Sequence, residues 1–251
     1  MNMSKRILIS LAVSNLLLIG SAQADWKTIL NDLGEAGKTF LPGSDSSEDL
    51  DTSTIISGLK EALSVGSQRA IDNISQTNGF LDNPQIRIPM PPQVEKVGSL
   101  MRQFGMSELA DEFETSMNHA AEKAAPEATD IVVNAIKDMT IDDAKQILNG
   151  PDDAATQYFR EQTSDRLTTL FRPAIKDSLD QVGSTHYYNQ LNDRVSSIPV
   201  VGENLNVNLP DYVTEQALNG LFTMLALEEK KIRENPAART TELLKKVFQQ
   251  Q

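Results

Sequence analysis

Cysteine is absent from the chain, and histidine occurs only twice, at His119 and His186. The first absence excludes disulfide frameworks, thiolate metal sites, thiol nucleophiles and a lipidated N-terminal cysteine together. The second leaves no HExxH and no Glu-x-x-His, so zinc peptidase and di-iron bundle constellations are missing. No GxxxxGK[ST], GxSxG or GxGxxG occurs either, which removes the local signatures of phosphate loops, nucleophile elbows and dinucleotide folds. Positive charge is in deficit: 23 Lys and Arg against 35 Asp and Glu leave a net −12, which argues against a chain that neutralises phosphates. Nucleic acid is therefore not an expected partner. What remains, at 39% hydrophobic and 23% charged, has the balance of a protein that folds.

The first residues read as an address. Lys5 and Arg6 precede an apolar run, Ile7 to Ile19, and Ala22-Gln23-Ala24 supplies the small-x-small pattern of a signal-peptidase site. At about 1.5 Å per residue the run falls short of a hydrocarbon core about 30 Å thick, so a cleavable signal peptide over residues 1–24 is expected rather than an anchor. Cleavage removes two of the 23 basic residues and leaves 21 against 35 acidic ones, a mature charge of −14. No later stretch approaches a membrane span. The expected location is the periplasm, reached as a soluble protein.

Residues 25–53 pair a weak helical stretch, broken by Gly34 and Gly37, with a Ser- and Asp-rich tether that has almost no apolar residue to offset its ordering entropy. From 54 to 251 apolar residues recur at steps of three and four, with no sustained alternation, so a single all-α domain is expected. Helices are predicted over Ile55–Gln76, up to Phe104, from Ser107 through an interruption at Pro126 to Met139, and from Thr140 to Gly150. Further helices are predicted over Asp152–Phe171 with a redirection at Pro173 and a stop at Gly183, over Tyr187–Val195, from the cap Asp211 to Glu234, and from Pro236 to Phe248. Residues 196–210 read as an irregular excursion. Four prolines between Asn83 and Pro92 forbid helix and leave an extended segment, a ready-made edge for recognition.

Helical faces supply the candidate site residues. With Phe113 at zero, Leu109, Met117, Ala120 and Ala124 lie within about 40°, while Asp111, Thr115, Asn118 and Glu122 form a polar stripe opposite. That stripe reads either as a solvated face or as one wall of a cleft, Asn118 and Glu122 meeting Arg87 of the Pro-rich segment. His119 and Glu122 stand on neighbouring turns and read as a surface pair rather than metal ligands, so neither metal nor cofactor is expected. Asp142-Asp143 and Asp152-Asp153 flank the Gly150 turn; they suit helix N-termini, with Ca²⁺ binding or a shared proton as the alternative. Arg166 and Glu228 each fall about 20° from the centre of an apolar face, which predicts a structural ion pair between two long helices.

The run Met117-Asn118-His119-Ala120-Ala121-Glu122, then Ala125-Pro126, Met139-Thr140-Ile141-Asp142-Asp143-Ala144, Ile147-Leu148-Asn149-Gly150 and Ala154 to Phe159 resembles a bacterial family known as domain of unknown function 4197. The Ile86–Pro91 segment and Ile232-Arg233-Glu234-Asn235-Pro236 resemble two further elements of it, so the likeness runs from about Gly58 to Phe248. The resemblance implies an exported, all-helical protein of Gram-negative-type bacteria and no established activity. It draws attention to Asn118, Glu122, Asp143, Thr156 and Arg233; the family pattern carries Arg where this chain has His119. The expected function is that of a periplasmic binding or interaction protein whose partner is another periplasmic protein, with Arg87, Asn118, Glu122, Asp143 and Thr156 as the candidate cleft. A hydrolase-type enzyme working through Glu122 and an Asp of the paired positions is the alternative. A carrier of an apolar ligand is another, needing a cavity of about 300 Å³ lined by Met101, Phe113, Phe159, Phe222 or Met224.

Overall fold

The computed structural model describes residues 52–103, 107–196 and 207–234, and every regular element among them is helical. The expected signal peptide, nearly all of the expected tether, most of the expected excursion and the helix predicted over 236–248 lie outside the described residues. Helix α1 runs Thr52–Ser75 and leads into a turn where Asn78 takes φ 64°, ahead of Gly79. Pro92 opens α2, Pro92–Gln103, at a position where a missing N–H costs nothing. Then follow α3, Ser107–Ala124; a 3₁₀ turn, Ala125–Ala128, holding Pro126; and α4, Thr129–Asp138. The chain continues through α5, Ile141–Leu148; α6, Ala154–Val182; α7, Ser184–Ser196; and α8, Leu209–Glu234.

The long helices α6 and α8 form the centre of the fold and run antiparallel: Ala155 at the start of α6 meets Glu229 near the end of α8, and Arg172 meets Asp211 at the other end. Helices α1 and α3 pack against this pair. Phe80, Phe113, Phe159, Phe171 and Phe222 are the largest buried side chains, each contributing about 1.5–3 kcal/mol of apolar burial. Along α6 the buried positions step through Ala155, Phe159, Thr163, Leu167, Phe171, Ile175 and Leu179, with Thr156 and Ser178 beside the two ends of that stripe. Steps of four at 3.6 residues per turn advance the stripe by about 40° each time, so it winds around the helix.

That winding corrects the predicted Arg166–Glu228 pair. Projecting a straight face from Phe159 puts Arg166 and Leu170 in the core, whereas both are exposed, Leu170 by 49%. Glu228 is buried and pairs instead with Lys231, at 2.6 Å one turn further along α8. Pro173 does not redirect α6 either, because the helix is continuous from Ala154 to Val182. Both Pro173 and Thr169, whose carbonyl the proline leaves without a donor, face solvent, where the loss is small. The cap of α8 is Asn208 and not Asp211: Asn208 Oδ1 accepts the Asp211 N–H at 3.2 Å, three residues in.

The Pro-rich segment departs from its predicted extended course at its start, where the Ile86 and Arg87 N–H groups donate to the Asn83 carbonyl in a turn; it is extended from Arg87 to Pro91, and it is no exposed edge. Ile86, Ile88 and Met90 are buried while Arg87 and Pro89 face out, an alternation that presses one side of the strand-like chain into the core. Gly220 of α8 lets the chain approach this closely, since a Cβ there would lie 2.6 Å from the Phe80 ring and 3.3 Å from Ile86 Cβ.

Candidate functional site

Asn118 and Glu122 stand one turn apart on α3, and both are buried although a single-faced reading of the helix leaves them outside. Ala120, Ala121 and Ala124 share this half of α3, and their small side chains let neighbouring chain close over both faces. Asn118 treats the Pro-rich segment as a strand partner would. Its Oδ1 accepts the Ile88 N–H at 2.8 Å, and its Nδ2 donates to the Ile88 and Glu114 carbonyls, each at 2.9 Å. Glu122 Oε1 accepts the N–H groups of Phe80 and Leu81 at 3.1 and 3.2 Å, and Oε2 accepts that of Asn78 at 3.1 Å. His119 lies beside them, its Nε2 3.2 Å from Asn78 Oδ1 and 3.9 Å from Glu122 Oε2. Arg87 extends from the exposed side of the same segment and pairs with Glu114 at 2.9 Å.

Thr156 belongs to a second polar centre, at the N-terminus of α6. Glu229 reaches it from α8: Oε1 accepts the Ala155 N–H at 2.9 Å, while Oε2 accepts the Thr156 N–H at 2.9 Å and its hydroxyl at 3.0 Å. Asp153, the residue at the cap position, makes no capping bond. Arg233 binds Glu229 Oε1 at 2.8 Å and also donates to the Ile147 carbonyl at 2.8 Å in the last turn of α5. One ion pair thus satisfies the end of α5 and the start of α6 across the Gly150 turn. The sequence reading missed Glu229. Its signal was the Glu229–Arg233 spacing of four, with acid before base, beside an Arg already in view.

Asp143 forms a third, separate feature. It completes a capping box with Thr140, whose N–H donates to Asp143 Oδ2 at 2.9 Å while the Thr140 Oγ1 accepts the Asp143 N–H at 3.1 Å. The Thr140 hydrogen bonds hold this carboxyl below its usual range, helped by the charge of Lys60. Burial lowers the Lys60 ammonium, against the pull of Asp138 and Asp143, and its Nζ donates to the Lys137 carbonyl at 2.9 Å. The five predicted cleft residues are therefore distributed among features anchored on different helices. Among the described residues no three His, Asp or Glu side chains gather as metal ligands would, and no helix is long and apolar enough to cross a membrane.

Open space lies elsewhere. A groove of about 410 Å³ is lined from α3 by three carboxylates, Glu108, Asp111 and Glu112, with Thr115, Ser116 and His119, and from elsewhere by Val182 and Tyr187. A second, of about 330 Å³, lies between α6 and α8. Arg160, Ser164, Thr168 and Arg172 line its α6 side, and Asp211, Glu215 and Asn219 its α8 side, both at steps of four. Its remaining lining comes from Thr214, Leu218 and Phe222. Arg160 lies over the Phe222 ring, 4.4 Å from its centroid. By contrast, the space beside Phe159 amounts to about 10 Å³, far below what an apolar cargo requires.

These features define an all-helical domain in which the buried Asn118, Glu122 and Glu229 are engaged with backbone and solvent-facing polar side chains line grooves. The chain belongs to the family described as Protein of unknown function (DUF4197), whose model matches residues 49–249. No curated protein and no solved structure matches it.

Proposed function

We propose that this is an exported periplasmic binding protein, which holds a ligand or a partner protein without transforming it. The observation that carries the reading is the commitment of the buried carboxylates. Glu122 accepts three backbone N–H groups, and Glu229 accepts two with a hydroxyl and a guanidinium. A general base needs free lone pairs within reach of the proton it removes, and these oxygens are turned to main chain on separate helices. Asp143, occupied by Thr140, offers Glu122 no acid partner in a shared cleft. Export is supported by the Lys5-Arg6, Ile7–Ile19 and Ala22-Gln23-Ala24 pattern, with residues 25–53 as the tether.

Native mass spectrometry of the protein taken gently from a periplasmic fraction, compared with the same sample denatured, tests the reading. The expected result is a chain beginning at Asp25 with a reproducible mass excess that is lost on denaturation. An uncleaved chain confined to the cytoplasm would refute export, and a bare monomer would refute stable binding.

A further inference from the structure

Arg87, Arg102, Arg172 and Arg233 each pair with a carboxylate, whereas Arg160 pairs with none among the described residues. Arg69 and Arg166 are alike in this, but neither lines the open groove between α6 and α8. Arg160 does, and it is held in place there: its Cζ lies over the Phe222 ring, 4.4 Å from the centroid, and its Nη1 is 3.4 Å from Asn219 Oδ1. A guanidinium steadied by a ring and one amide oxygen, with its other N–H groups unclaimed by the described residues, is a ready fork for a carboxylate.

The rest of the groove indicates what that carboxylate is attached to. Leu218 and Phe222, both nearly buried, stand one turn apart on α8, and the accessible lining is predominantly apolar. At about 330 Å³ the groove has the size of a small-molecule site. Its other charges suit one anionic group and no more. Arg172 is already bound to Asp211, so it adds no free cation. Glu215 lines the same groove, exposed and without a cation partner among the described residues, so water solvates it and a second negative group on a ligand meets its charge.

We propose that this groove binds a monocarboxylate with an apolar body, the carboxylate held by Arg160 and the body lying against Leu218 and Phe222. The proposal rests on the binding reading above and names its ligand class. Selection follows from the two exposed charges: Arg160 requires one carboxylate, and Glu215 excludes a second.

Octanoate titrated calorimetrically into the full mature protein, beside butanoate, octanol and octanedioate, tests this. Saturable one-site binding of octanoate is expected, weakening about two- to fourfold with each methylene removed toward butanoate, as burial of an alkyl body requires. Octanol, which lacks the carboxylate, and octanedioate, which carries two, should each bind at least about tenfold more weakly. Arg160→Gln should weaken octanoate about tenfold or more, and Glu215→Gln should bring octanedioate to within about threefold of octanoate. Both residues are exposed, so the melting curves of both variants should match the wild type. No saturable octanoate binding at about 10 mM, equal binding of butanoate or octanol, or indifference to Arg160→Gln would overturn the site. Octanedioate still excluded from the Glu215→Gln variant would overturn the role of Glu215. If native mass spectrometry shows a bound species that Arg160→Gln retains, this site fails while the binding reading stands; a bare mass together with no octanoate binding sinks both.

Discussion

Glu122 and Glu229 are alike in burial, each 5% exposed, and alike in accepting main-chain N–H groups from a distant segment, yet they solve different problems. Glu229 faces the first turn of α6, where the helix dipole already favours an anion, and Arg233 neutralises it at 2.8 Å. Glu122 faces a turn, not a helix end, and the nearest basic group is the His119 imidazole at 3.9 Å. Three amide dipoles must therefore do for Glu122 what a guanidinium and a helix terminus do for Glu229. A buried carboxylate can thus be held by hydrogen bonds alone when enough of them converge, and its loss then strands the donors rather than a counter-ion.

Substitutions that separate the two cases follow from this difference. Glu122→Ala should be the most costly, about 3–4 kcal/mol, with hydrogen exchange at Phe80 and Leu81 accelerating before the rest of the fold; unchanged protection there would break the comparison. Glu229→Ala should cost about 3 kcal/mol by denaturant unfolding, and adding Arg233→Met should recover part of that loss, because the stranded guanidinium is then gone. Asn118→Ala should cost about 2 kcal/mol, read the same way, through the orphaned Ile88 amide and carbonyl. Asp143→Asn should cost about 1 kcal/mol at neutral pH. Since the folded pKa of Asp143 is lowered, its contribution is present above the unfolded value of about 3.9 and is lost as pH falls through the folded value. The gap between wild-type and variant melting midpoints should close only in that acid range. Arg166→Met should change stability by no more than about 0.5 kcal/mol, because the arginine is exposed and Glu228 has Lys231.

The all-α class and most helix boundaries were legible because apolar spacing, Pro92, Thr140 and Gly183 act locally. Gly183, for instance, takes φ 85° at the end of α6 as its position after the last periodic residue requires. Asn118 and Glu122 were visible as a stripe, and a meeting with the Pro-rich segment was one reading of it. What the stripe could not disclose is that a second layer of chain covers it. The Glu229 cap was hidden for the same reason: its amide donors lie 73 and 74 residues away. Arg166 failed for a different one, since a straight projection of 100° per residue cannot follow a stripe that winds by steps of four. Asp153 shows the limit of capping rules, as an acid in the right place is left aside when a buried glutamate reaches the same amides from another helix.

The single turn of α3 that carries both Asn118 and Glu122 has a kinetic consequence. The Asn118 contact closes a loop of 30 residues back to Ile88, and the Glu122 contacts close loops of 41 to 44 residues back to the 78–81 turn. Neither side chain is positioned until that turn of helix exists, and once one closure is made the other encloses only the few residues between the two anchor points. The two contacts should therefore form in one concerted event after α3, so that unfolding of α3 releases the turn and the Pro-rich segment together.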